Sequence, residues 1–181
     1  MRSGDDSTLI IGCGNLIRSD DGVGPVLLRH LLDRGLPPGV GVADAGTSGM
    51  DVAFRMRGVP HIILIDACTS GGEPGSIYEL PGHEAESPPL EACGNLHVFR
   101  WDHAIAFARW LLKDEFPESI TVFLIEAENT APGMELSAPV TGAMHRLIDL
   151  LIERLTPPAA ACGNGSTSTA ETDGVDACVS N

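Results

Sequence analysis

A buried strand that breaks into a loop of glycines and acids and then returns through a helix fits few architectures. Residues 8 to 35 read as such a unit. Thr8 to Ile11 is apolar, rich in β-branched residues and too short for a helix, so it reads as a covered strand. Gly12-Cys13-Gly14-Asn15 breaks that pattern, and a polar segment follows, ending in Asp20-Asp21-Gly22-Val23-Gly24. From Pro25 an apolar stripe at helical spacing (Val26, Leu27, Leu28, Leu31, Leu32) runs towards a stop at Gly35. This is the opening unit of an α/β sheet, and in such sheets ligands bind beyond the carboxyl ends of the strands. Asp20 and Asp21 therefore stand where chemistry is expected.

The rest of the chain repeats the alternation. Val40 to Ala43 reads as a second strand, followed by the turn-rich Asp44-Ala45-Gly46-Thr47-Ser48-Gly49 and a helix from Met50 to Met56. His61 to Asp66 is the strongest buried strand, a continuous apolar run of the kind found in parallel sheets covered on both faces. Gly75 to Leu80 alternates and reads as an edge strand open to antiparallel pairing, and Pro81 to Gly94 as an exposed loop. A helix over Asp102 to Leu112, with Asp102 as its cap, leads to a buried strand at Ile120 to Ile125 that ends in Glu126-Ala127-Glu128-Asn129. Ser137 or Thr141 starts a final helix reaching Leu155. The expected fold is α/β: a mainly parallel twisted sheet of about five strands between two helical layers, with that edge strand at one side. Residues 1–156 are expected to form a single domain. Residues 157–181, rich in Ala, Gly, Ser and Thr, lack periodicity and read as a disordered tail.

Composition narrows the function. A net charge of −14 argues against nucleic acid and membrane surfaces, both polyanionic, and suits a cation or simply solubility. Five widely spaced cysteines without a Cys-x-x-Cys pair form neither a disulfide framework nor a zinc module. With no apolar targeting segment at the start and no apolar run approaching a membrane span, the chain is expected in the cytoplasm. A dinucleotide site is disfavoured, because Ile17 stands where the third fingerprint glycine belongs and the loop acids repel a pyrophosphate.

Asp21, Asp44 and Asp66 follow three successive strands and can share one crevice, where carboxylates with an imidazole suit a borderline divalent metal such as nickel or zinc. Each has a structural alternative. Asp20 reads as a helix cap or turn-former rather than a ligand, and Asp21 before Gly22 can serve a turn. Asp44 can hold its own loop by side-chain-to-backbone bonds, while Asp66 must be hydrogen-bonded, cap a helix or bind something. His97 and His103 flank the start of one helix, and the spacing of residues does not choose between them. Cys13 and Cys68 lie near the same edge but read as small buried hydrophobes, and no nucleophile elbow is present.

The chain resembles the hydrogenase maturation endopeptidases, which process the large subunit of nickel–iron hydrogenases. The resemblance rests on Gly12 to Gly24, on Asp44-Ala45-Gly46-Thr47-Ser48-Gly49-Met50, on Leu64-Ile65-Asp66-Ala67, on His97 followed by a helix ending in Ala108-Arg109, and on Ile125-Glu126-Ala127-Glu128. Together these cover residues 8 to 155 in the family's order. Three positions depart from the family pattern: Ala45 for its usual Gly, Ala127 for its frequent Pro, and Leu96 for its usual Ser before the histidine. They leave the acid and histidine positions intact and bear on the substrate groove.

By position, the resemblance implies metal binding by Asp21, Asp66 and His97, choosing His97 over His103. It also implies catalytic roles for Asp21 and Asp66, and substrate contacts for Asp44, Gly46 and Thr47. The implied activity is removal of a C-terminal extension from the large-subunit precursor after nickel insertion, by a monomer that senses nickel supplied by its substrate. The ion would act as template and Lewis acid. Alternatively, Asp21 or Asp66 acts as a general base without metal. A non-catalytic divalent-metal module and a nucleotide-binding α/β protein are the rivals from other classes.

Overall fold

A computed structural model describes residues 7–86 and 101–156. Five strands form one sheet: β1 (Thr8–Cys13), β2 (Val40–Gly46), β3 (His61–Cys68), β4 (Ile77–Pro81) and β5 (Ser119–Glu126). Their order is β2-β1-β3-β5-β4. Every pairing is parallel except β4 with β5, so the alternating segment near Tyr78 is the antiparallel edge that its pattern suggests. The helices are α1 (Val23–Arg34), α2 (Gly49–Arg55), α3 (Gly82–Ala85), α4 (Trp101–Leu112) and α5 (Ala138–Leu155). Among the described residues no helix is long and apolar enough to cross a membrane.

Two cores explain why the central strands are apolar without interruption. On β1, Leu9, Ile11 and Cys13 join Val52, Ala53, Ala104, Ile105 and Ala108 beneath α2 and α4. Ile10, on the opposite face, joins Leu27, Leu31, Val140, Ala143 and Leu147 beneath α1 and α5. Successive strand residues point to opposite faces, so a strand covered on both sides needs apolar side chains at every position. All six residues of β1 are buried. β3 behaves alike: Ile62 and Leu64 face α2 and α4, while Ile65 and Ala67 face α1 and α5.

The chain leaves β1 towards β2 on one side, then crosses back over β1 to reach β3 on the other. This reversal opens a crevice between the carboxyl ends of β1 and β3, the position where such sheets bind ligands. Several boundaries differ from the sequence expectation. β2 continues past Ala43 to Gly46, because Gly12 pairs with Asp44 and Cys13 with Gly46 around a bulge. β3 runs two residues past Asp66 and is held there by β5. Pro81 belongs to β4, and α3 follows at once where an exposed loop was expected, with Gly82 against Ile120. Asp102 falls within α4, which already begins at Trp101. Ser137, not Thr141, precedes α5. His97 and the tail from residue 157 lie outside the described residues.

The crevice exists because α1 starts almost in contact with the sheet. A β-carbon at Gly24 would lie 2.2 Å from the Cys13 carbonyl oxygen and 2.8 Å from that of Ile65, both backbone atoms that cannot swing aside. Gly24→Ala is therefore expected to lift the helix from β1 and cost about 1–3 kcal/mol, the usual range for overpacking. The check is a urea melt in which the midpoint falls while the slope is unchanged.

Candidate active site

A pocket of about 330 Å³ occupies the crevice. Its lining includes Cys13 and Gly14 at the end of β1, Gly46 and Thr47 at the end of β2, and Asp66, Ala67 and Cys68 at the end of β3, together with Arg18, Asp21 and Thr130. Asp21 and Asp66 thus line one pocket although 45 residues separate them. Gly14 makes the approach feasible. A β-carbon there would lie 1.8 Å from the Asp21 carbonyl oxygen and 3.5 Å from Asp66 Oδ1, and the residue has φ +126°, which only glycine adopts readily. The Asn15 N–H donates to Asp21 Oδ2 at 3.1 Å, and the Ala67 N–H donates to Asp66 Oδ1 at 2.8 Å. These contacts orient both carboxylates from the backbone.

The other strand-end acids have different surroundings. Asp44 is exposed and its Oδ1 accepts the Gly46 N–H at 2.9 Å, the local bond expected of an acid before a glycine turn. Gly46 and Thr47 line the pocket and Asp44 does not. Asp20 is wholly buried. It accepts the N–H groups of Glu128 and Asn129 at 2.9 Å each, the Ser137 N–H at 2.7 Å and the Ser137 hydroxyl at 3.0 Å. It does not cap the helix that follows it: α1 begins at Val23 after Gly22, with no side-chain cap. Its partners instead come from the segment between β5 and α5.

Glu126 is the second internal hub. Buried at the end of β5, it accepts the N–H groups of Ser70, Gly71 and Gly72, the Ser70 hydroxyl at 2.6 Å and the Cys68 thiol at 3.2 Å. The Ser70 hydroxyl chiefly, with Cys68 and the amides, outweighs burial and holds this carboxyl at about 2, below its ordinary 4.5. Burial first, then the Glu126 hydrogen bond and charge, push the Cys68 thiol up to about 12. Burial and the charge of Asp66 raise Cys13 as well. Both thiols stay protonated at neutral pH and are poor nucleophiles; Cys13 is buried as expected, whereas Cys68 is half-buried, lines the pocket and donates to Glu126.

The expectations missed two kinds of residue. Asp20 and Glu126 organise the loops around the pocket, and the signal for each was an acid at the end of an apolar run or beside a second acid. Arg18 and Thr130, tied by a bond from Arg18 Nε to the Thr130 carbonyl at 3.2 Å, carried no signal because their adjacency is tertiary. His103 lies on α4, and His97, the imidazole implied by the resemblance, is outside the described residues. Among the described residues no three His, Cys, Asp or Glu side chains are grouped to hold a metal ion. The pocket itself offers oxygen donors suited to a divalent cation, from Asp21 and Asp66.

The family model for hydrogenase maturation proteases matches residues 26–154. The chain is 29% identical over 165 residues to the delta subunit of coenzyme F420 hydrogenase from Methanothermobacter thermautotrophicus, covering 83% of this chain and 96% of that one. It is 25% identical over 149 residues to the hydrogenase 2 maturation protease of Escherichia coli K12, covering 81% and 89%. The fold matches the hydrogenase maturating endopeptidase HybD of Escherichia coli with a TM-score of 0.67 at 22% identity, over 82% of this chain and 91% of that one.

Three outcomes follow from the two hubs. Replacing Asp20 by Ala removes the acceptor of three part-buried N–H groups, each bond contributing roughly 1 kcal/mol. The total loss is expected to be about 3 kcal/mol or more, measured by equilibrium denaturation. For Glu126 the folded value lies below the unfolded one, so its contribution is present above about pH 4.5 and vanishes as pH falls towards 2. Acid titration should therefore show a stability difference between Glu126→Gln and the parent at pH 6 that closes near pH 2. In the same variant Cys68 should alkylate faster at pH 8, because a charge and an acceptor that favour the thiol are gone.

Proposed function

Because the chain belongs to the hydrogenase maturation protease family, we propose that it removes the C-terminal extension of a nickel–iron hydrogenase large-subunit precursor after nickel has been inserted. Peptidase chemistry comes with the family. The observation that carries the finer reading is the convergence of Asp21 and Asp66 on one pocket, while the adjacent acids Asp20 and Glu126 are occupied by backbone amides. Asp21 and Asp66 line the pocket that the extension would enter.

In this reading the entering group is nickel already held by the precursor, and Asp21, Asp66 and His97 recognise it. Two carboxylates alone leave most coordination positions of a divalent ion to other ligands, which suits an ion shared with its carrier. The ion supplies a template and a Lewis acid beside the scissile carbonyl. Asp21 and Asp66 hold it against the carbonyl ends of β1 and β3, and the loop of Gly46 and Thr47 borders the path of the peptide. With both nearby thiols protonated, the nucleophile is water. Processing is cytoplasmic and the working unit is a monomer.

The test is cleavage of nickel-loaded and nickel-free precursor by the purified chain and by Asp21→Ala, Asp66→Ala and His97→Ala. Loss of mass at the precursor C-terminus only when nickel is present, reduced at least 100-fold in each variant, is the expected result. Equal cleavage of both precursor forms would remove the sensing role and leave Asp21 or Asp66 as a general base.

A further inference from the structure

Beside the pocket stands a ridge that the peptidase chemistry does not use. It is made of two segments more than 110 residues apart, 17–19 and 130–134, joined side by side. Arg18 pairs with Gly133 as a parallel bridge. The Gly133 N–H donates to the Ile17 carbonyl at 3.0 Å, and the Ser19 N–H donates to the Gly133 carbonyl at 2.9 Å. The Ser19 hydroxyl donates to the Ala131 carbonyl at 3.1 Å, with Ser19 held at φ +50°. Below, buried Asp20 fixes both segments through Glu128, Asn129 and Ser137.

This braced structure displays two large apolar side chains. Ile17, next to Arg18, is 63% exposed, and Met134, next to Gly133, is 79% exposed. Single exposed apolar residues are ordinary on any surface. These two differ because they flank the same bridge, and because Arg18 and Thr130 of the same segments line the pocket. An extension reaching Asp21 and Asp66 would bring the body of its own protein against this rim.

We propose that Ile17 and Met134 form the docking ridge for the folded body of the precursor, packing against an apolar patch next to its flexible C-terminal extension. The proposal rests on the function given above and names the surface by which that substrate is held. The occupant is the substrate protein because the ridge is continuous with the pocket its extension must enter. A rigid ridge also loses little freedom on association, so two apolar anchors can contribute much of the binding. The pocket then needs to recognise only the nickel and the scissile segment.

The experiment compares the parent with Ile17→Ser, Met134→Ser, the double variant, and Trp110→Ser as a control on α4, where Trp110 is 71% exposed. Binding to nickel-loaded precursor is read by interferometry, and KM and kcat are read from cleavage. The double variant is expected to bind at least tenfold more weakly and to raise KM to match, with kcat within twofold and an unchanged melting temperature. The control should behave as the parent. Equal affinity of double variant and parent, an equal loss in the control, or no binding by the parent each overturns the ridge. Cleavage by the parent with unchanged affinity in the double variant sinks the ridge and leaves the peptidase reading. Loss of affinity in the double variant, when the parent binds but never cleaves, supports the ridge and sinks that reading.

Discussion

The buried carboxylate of Asp20 holds the functional edge of this molecule together. Its bonds join the turn after β1 to the chain leaving β5 and to the residue that starts α5. It adds to the backbone bonds that already join residues 17–20 to residues 129–133. An ionised group taken fully out of water is tolerated only when donors surround it, and here backbone amides supply that role. No counter-ion is needed. The carboxylate therefore organises chain direction through backbone amides and one hydroxyl.

Five acids stand at or near strand ends, and neighbouring donors divide them into different roles. Asp20 and Glu126 each gather several amides and become structural. Asp44 meets one amide of its own turn and stays at the surface. Asp21 accepts the Asn15 amide, Asp66 accepts that of Ala67, and both line the pocket. The chemical type is the same throughout, so placement decides which carboxylates brace the loops and which line the pocket. That is a property of loop geometry, and loop geometry follows from where the glycines fall.

The sheet and its helices were legible because their signals are local. A run such as His61 to Asp66 is apolar at every position only if both faces are covered, and the helix stripes repeat at their own period. The convergence of Asp21 and Asp66 also followed from order alone, since parallel strands deliver their ends to one edge. The extended end of β2 was not legible, because a bulge beside Gly12 lets pairing continue through Asp44. Nor were the roles of Asp20 and Arg18, whose partners lie more than 100 residues away along the chain. A loop-to-loop contact leaves no periodic trace in either loop. Residues 97 and 157–181 lie outside the described residues, so the expectations made for them remain those of the sequence.

The last helix also fixes where the described chain ends. Ser137 is pinned beside the pocket by Asp20, and 18 residues of α5 then follow. At a rise of about 1.5 Å per residue this carries the chain about 27 Å along the helix. Arg154, near its far end, pairs with Glu79 of the edge strand. Thr156 is thus delivered well away from the carboxyl ends of β1 and β3. A group joined at Thr156 itself would start far from the rim that faces a substrate.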